Sequence, residues 1–282
     1  MAKSRSKDGV HEMRKELRCD DENRYGLELT NNSKTSWAFS MPRDKTCVMA
    51  TEICKKVCYG NGIRYQSKVQ KAKRERNFRT VQLLLDRGGP ELLAQNLVAL
   101  IDQVRPIDWL CASILGEKTK TPWTIRIHDL GDFGEERYVK AWLLAAKERP
   151  FCKLWFYTRS FLEPELFNAL TELAALPNCQ GWLSVDAENY EAGLLAYAQA
   201  PGVWKLALLQ QERTQMEEIL PDLVEVAKTK ELVSFPVHHG GRHVEPVVAA
   251  NLYTCPAVLG VYKLESSAAK LRPCQACSFC LP

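Results

Sequence analysis

The sequence predicts an α/β fold of repeated βα units, forming a partial or full parallel βα barrel with a cysteine-rich C-terminal extension. Two observations carry this reading. Between Trp123 and Val237 short apolar runs alternate regularly with longer helical patterns, which is how parallel strands joined by crossover helices read. Seven of the eleven cysteines fall into two tight groups outside that beat.

Residues 1–24 are charged and lack apolar periodicity, so they read as a polar tail. Ser36–Ser40 is a short aromatic strand stopped by Pro42. Gln66–Leu85 is helical, Gly88-Gly89-Pro90 breaks the pattern, and Glu91–Val104 forms a second helix. Gly116–Pro122 reads as a polar surface loop. Strands follow at Trp123–Ile127, Lys153–Tyr157, Gly181–Val185, Val203–Leu208 and Leu232–Val237. Between them lie helices at Glu135–Lys147, Pro164–Ala174, Tyr190–Ala198 and Thr214–Thr229. Residues 25–250 thus make one barrel-like domain, with residues 251–282 packed on it as the extension. In such folds reactive groups gather at the C-terminal ends of the strands.

A hydrophobic share of 46% in 282 residues is enough for a substantial core. The net charge of +4 is too small to argue for nucleic acid by itself, so any such argument must rest on local clustering. No apolar run approaches the roughly 20 residues of a bilayer span, and the polar segment Met1–Glu22 lacks the apolar core of a secretory signal. A cytoplasmic protein without a membrane partner is the expectation. In a reducing compartment, bunched cysteines read as metal ligands rather than disulfides. Cys19, Cys111, Cys152 and Cys179 stand apart and are given no function.

The first group is Cys47-x6-Cys54-x3-Cys58, on the loop that leads from the first strand into helix. The second is Cys274-x2-Cys277-x2-Cys280, with Cys255-Pro256 upstream. Structural zinc typically takes ligand pairs of the C-x2-C kind from separate hairpins. Consecutive x2 spacing with a remote Cys-Pro is instead close to the ferredoxin run around a cubane. Iron–sulfur clusters, one or two and of [4Fe-4S] type, are therefore expected, with zinc as the alternative. Three ligands without a fourth leave an open coordination position, which makes the first group the reactive candidate.

Strand ends supply the remaining candidates. His128, Asp129 and Asp132 end one strand, where a histidine could titrate between two orienting carboxylates. Arg159 ends the next strand and offers a bidentate fork to an anion, and Asp186 ends the one after. Arg126, Ser184, His238 and His239 are candidate cofactor contacts, the last two within the Gly-rich His238–His243 loop. Arg64 to Arg79 carries seven basic residues with Tyr65 and Phe78 interleaved, a candidate nucleic-acid contact.

With Cys54-Lys55-Lys56-Val57-Cys58-Tyr59, Arg76-Asn77, Ile125–Phe133, Trp155–Ser160 and the terminal cysteine run in view, the chain resembles the phage gene product 88 family over roughly residues 25 to 282. That resemblance implies phage or mobile-element origin and a cysteine-rich site. A second, fold-level resemblance is to radical S-adenosylmethionine enzymes, in which a cysteine loop follows the first strand of a partial βα barrel. It implies S-adenosylmethionine as a ligand. Those enzymes use C-x3-C-x2-C, however, and Asn61 stands at the third position here.

Two functions of different class remain. One is an iron–sulfur redox or radical enzyme acting on a small molecule or nucleic acid, with Cys47, Cys54 and Cys58 at the reactive site and an auxiliary C-terminal cluster. The other is a nucleic-acid-binding protein with structural iron–sulfur or zinc sites. No G-x4-GK[ST] phosphate loop is present.

Overall fold

The computed structural model describes residues 26–32, 34–106, 109, 122–210, 221–223, 225–229, 231–236, 238–239, 242–243, 253–256, 258 and 272–282. The polar tail, Cys19, Cys111, most of the expected loop before Trp123 and the Gly240-Gly241 pair lie outside these residues, as does the first half of the helix expected at 214–229.

The chain enters through β1 (Leu29–Asn32) and β2 (Ser36–Phe39), an antiparallel pair. Three short helices follow, α1 (Arg43–Thr46), α2 (Glu52–Val57) and α3 (Ile63–Gln66), with a 3-10 turn at Tyr59–Asn61. The long α4 (Lys68–Asp102) bends where expected, because Gly88 and Gly89 leave helical geometry and Gly89 takes φ 68°, a value glycine reaches without strain. Pro90 then opens the second segment, where its missing N–H costs nothing.

Beyond residue 122 the βα beat appears as read. It runs β3 (Thr124–Ile127), α5 (Glu136–Glu148), β4 (Lys153–Thr158), α6 (Pro164–Ala174), β5 (Cys179–Val185), α7 (Tyr190–Gln199) and β6 (Trp204–Gln210). Residues 221–223 and 225–228 are helical, and β7 (Leu232–Pro236) follows. A two-stranded pair, β8 (His238–His239) and β9 (Arg242–His243), precedes β10 (Tyr253–Thr254) and α8 (Pro273–Cys277).

Eight strands form one sheet in the order β1-β2-β3-β4-β5-β6-β7-β10, parallel throughout except for β1. Each strand from β2 to β7 lies beside its predecessor in the chain, the order of a singly wound sheet rather than a doubly wound one. The sheet does not close. Antiparallel β1 ends it on one side and two-residue β10 on the other, so the described residues do not form the full barrel among the expected alternatives.

Alternate residues of each strand point to opposite faces. Ile125 and Ile127, Leu154 and Phe156, Leu183 and Val185, and Leu206 and Leu208 join the helices in the main core. Gly181 keeps this layer close, since a Cβ there would lie 2.4 Å from the Trp204 ring. On the opposite face Trp182, Ala207 and Val233 are covered by Tyr157, Phe235, Cys255, Phe279 and Cys280. The C-terminal extension therefore roofs the face that the helices leave open. No helix among the described residues is long and apolar enough to cross a membrane.

Candidate metal centres

Cys47, Cys54 and Cys58 sit at the C-terminal ends of the parallel strands. The ends of β2 and β3 are tied together, with Met41 N donating to Leu130 O at 2.8 Å and Asp129 N to Phe39 O at 2.9 Å. Cys47 caps α1 through its own N–H to Arg43 O. Thr51 caps α2, its hydroxyl accepting from Cys54 N at 3.0 Å, and Cys58 ends that helix. All three thiols are half-buried. Burial pushes the Cys47 thiol far up, and Asp132, Cys54 and Cys58 push it further against the Gly131 N–H. Burial also raises Cys54, with Arg159 opposing and Cys58 and Asp186 adding. The three thiols thus feel one another in a setting that disfavours thiolate until a cation arrives.

A buried polar floor supports them. Asp132 accepts from Thr158 Oγ1 at 2.7 Å, Arg159 N at 2.8 Å and Phe133 N at 2.8 Å. Burial lifts its carboxyl to about 6 against the pull of these bonds. Arg159 Nη1 lies 2.7 Å from Asp186 Oδ2, and Thr51 Oγ1 donates to the same oxygen at 2.6 Å. Glu188 accepts from Glu52 N at 2.8 Å, a second tie between α2 and the end of β5. The cysteine helix is therefore moored to strands β4 and β5 by residues far away in sequence.

Asp129 keeps its carboxylate near the Tyr65 hydroxyl, at 3.3 and 3.4 Å, and 3.9 Å from Arg126. His128 departs from its expected role. Its backbone is left-handed, φ 64°, and Nε2 meets the Tyr138 hydroxyl at 2.9 Å in the helix layer instead of a carboxylate at the mouth. Burial and then the Arg126 charge lower its pKa to about 3, so it stays neutral. Ser184 lies on the same sheet face as Trp182, its carbonyl accepting from Asn189 Nδ2 at 3.2 Å. For His238 and His239 the backbone pairing with His243 and Arg242 is described, and no more.

The second group lies on the roofed face, towards the strand beginnings. Cys255 N donates to Ser234 O at 2.9 Å and Cys274 N to Lys34 O at 3.0 Å. Pro273 opens α8 and Ser278, φ 54°, ends it. Trp182 Nε1 donates to Cys280 O at 3.2 Å, and Tyr253 stacks on Phe279 with centroids 4.0 Å apart. The Tyr253 hydroxyl is 3.3 Å from Cys277 Sγ. Gln275 reaches Thr124 at the start of β3, and Lys153 Nζ at the start of β4 donates to Pro282 O at 2.6 Å. Burial pushes the Cys280 thiol up to about 12, opposed by Tyr157, with Cys255, Cys274 and Cys277 adding. Burial likewise pushes Cys274 up to about 11, opposed by Arg126. Among the described residues no group of three or more His, Cys, Asp or Glu side chains is placed to hold a metal ion. The thiols of each group are within electrostatic reach but not gathered about a single point.

The basic stretch divides. Arg74 is buried and donates to Tyr65 O at 2.5 Å. Lys73 and Arg76 pair with Glu28, and Arg79 pairs with Glu75. Lys68 and Lys71 are exposed, with no ion pair among the described residues. Sequence reasoning missed Thr51, Tyr59 and Tyr138. Thr51 had a signal, a helix-capping residue three places before Cys54; the tyrosines had none.

The fold and these centres define a cysteine-rich α/β protein with an open, mostly parallel sheet. Residues 13–281 match the profile of the family described as Gene product 88, and the chain belongs to that family. It is 28% identical over 146 residues to the Gene 88 protein of Mycobacterium phage D29, covering 52% of this chain and 54% of that protein. It is 32% identical over 114 residues to the Gene 88 protein of Mycobacterium phage L5, covering 40% and 43%. The matched stretch spans about half the length of these relatives, both phage proteins. No solved structure matches. The likeness to radical S-adenosylmethionine enzymes is not carried by any of these matches.

Proposed function

We propose that the chain is an iron–sulfur protein of redox or radical type on a partial βα barrel. Cys47, Cys54 and Cys58 would hold the reactive cluster and Cys255, Cys274, Cys277 and Cys280 an auxiliary one. The observation that carries this reading is the seating of the first group. Three mutually coupled, half-buried thiols stand at the strand-end mouth, over Asp132 and the Arg159–Asp186 pair. Thiols that reach one another without converging on a point suit a multi-iron object better than one tetrahedral ion. Such a cluster, when bound, supplies one-electron chemistry.

The chain's own residues would do the rest. Thr51, Arg159 and Asp186 hold the cysteine helix against β4 and β5, so the thiols keep their place. Asp132, with its pKa near 6, can take up or release a proton beside Cys47 at neutral pH. The test is anaerobic purification with iron, sulfide and zinc quantified per chain, on the wild type, C54S/C58S and C274S/C277S. Iron with matching sulfide, part of it lost in each double variant, is the expected result. A colourless wild-type protein containing zinc and no iron overturns the reading.

A further inference from the structure

Arg126 lies between the two cysteine groups and is poorly paired for a buried cation. It projects from β3 onto the sheet face shared with Tyr157 and Trp182, and its side chain is 17% exposed. Nε is sealed from solvent and has no hydrogen-bond partner among the described residues. The nearest polar neighbours are distant, the Tyr59 hydroxyl at 3.5 Å and the Asp129 carboxylate at 3.9 Å. Trp155 and Tyr157 cover the guanidinium, their ring centroids 5.2 and 5.0 Å from its carbon.

Ring faces attract a cation but accept none of its five N–H groups in the manner of a carboxylate. Arginine cannot shed the proton to escape the cost of burial. A permanent charge in this position needs negative charge close by, and one carboxylate at 3.9 Å supplies only part of it.

Both cysteine groups approach it. Tyr59, which faces Arg126 through its hydroxyl, directly follows Cys58. From the other side Cys274 and Arg126 act on each other's charge. Metal-ligating cysteines are thiolates, so loading either group brings net negative charge to Arg126. We infer that Arg126 is the shared counter-cation of the two cysteine groups, a positioning residue that offsets the charge of both metal centres at once. The inference rests on the metal-binding reading above. A fixed positive charge favours the more negative, reduced form of a nearby cluster, so Arg126 holds both reduction potentials up. A purely structural arginine would influence melting but not potential.

The experiment compares wild type, R126Q, R126K and R126M, reconstituted anaerobically with iron and sulfide and titrated under EPR. Each is also prepared in the C54S/C58S and C274S/C277S backgrounds, which isolate one cluster at a time. The expected result is a fall of both midpoint potentials in R126Q and recovery of most of the fall in R126K. R126M keeps the side-chain stem without the charge and serves if R126Q does not fold. Iron-loaded R126Q or R126M with unchanged midpoints, or with only one moved, overturns the shared role while the cluster reading stands. If the wild type holds zinc, the cluster reading fails and zinc release to a chelator becomes the measurement. Faster release from both groups in R126Q then supports the shared role, and unchanged release overturns it. A wild type without bound metal overturns both.

Discussion

Arg159 and Asp186 form an enclosed ion pair, Nη1 to Oδ2 2.7 Å, with side chains 6% and 0% exposed, and the same carboxylate oxygen accepts from Thr51 beside the cysteine helix. D186N leaves a buried guanidinium without its counter-charge, a change worth about 3–5 kcal/mol. Thermal unfolding is expected to show that loss, and elemental analysis a selective loss of metal from the Cys54 group. R159M/D186L should regain much of the stability without regaining that metal. Full metal retention in D186N would refute the mooring role.

His128 gives the fold an acid sensitivity that can be isolated. Its ordinary pKa of 6.5 falls to about 3 in the folded chain. The unfolded chain therefore binds a proton that the folded chain refuses between these values. The stability contributed by neutral His128 is intact above 6.5 and lost as pH falls towards 3, by up to about 1.4 kcal/mol per pH unit. Asparagine tolerates left-handed backbone, so H128N should unfold with a shallower pH slope in that window. Equal slopes in chemical denaturation of the two proteins would disprove this.

Gly131, φ 97°, turns the chain directly beneath the first cysteine group. A Cβ there would stand 2.7 Å from Met41 Cβ and 2.9 Å from Thr46 Oγ1, next to Cys47. G131A is expected to lose about 1–3 kcal/mol to backbone strain alone. Because Thr46 Oγ1 also accepts from Asp132 N, metal analysis should find the Cys47 group weakened and the C-terminal group intact.

Asn77 pins the edge of the sheet to α4. Buried, it accepts from Glu28 N at 2.9 Å and donates to Glu28 O at 3.0 Å and Ser40 O at 3.1 Å. N77A strands these groups, at about 1–3 kcal/mol for each one left buried and unpaired. The urea midpoint should fall accordingly, and a change within error would show that water replaces the amide.

Within the basic stretch, R74A is expected to lower the melting temperature, because Arg74 is interior. K68A/K71A should leave it unchanged, since both residues are exposed. Electrophoretic mobility shifts with single-stranded and duplex oligonucleotides then report on Lys68 and Lys71 without interference from misfolding.

The βα beat was legible because parallel strands buried on both faces leave continuous apolar runs, as in Lys153–Thr158 and Trp204–Gln210. β1 was not legible, since Leu-Thr-Asn-Asn carries no strand pattern, and neither was two-residue β10. The cysteine groups could be read from spacing, and their separation onto two parts of the sheet from the strand count. The surroundings could not. Alternation from Arg126 would have put His128 on the roofed face, and one left-handed residue turned it to Tyr138 instead. Thr51 meets Asp186 across 135 residues, a pairing that no local pattern encodes.

That separation also sets an order in time. A ribosome adding 5–20 residues per second leaves Thr51 waiting on the order of ten seconds for Asp186 to be synthesised. Throughout that interval the nascent chain carries Cys47, Cys54 and Cys58 without the floor on which they rest. The thiols are made early and seated late, so the cell must shield them from oxidants, and from the wrong metal, before the protein can do either for itself.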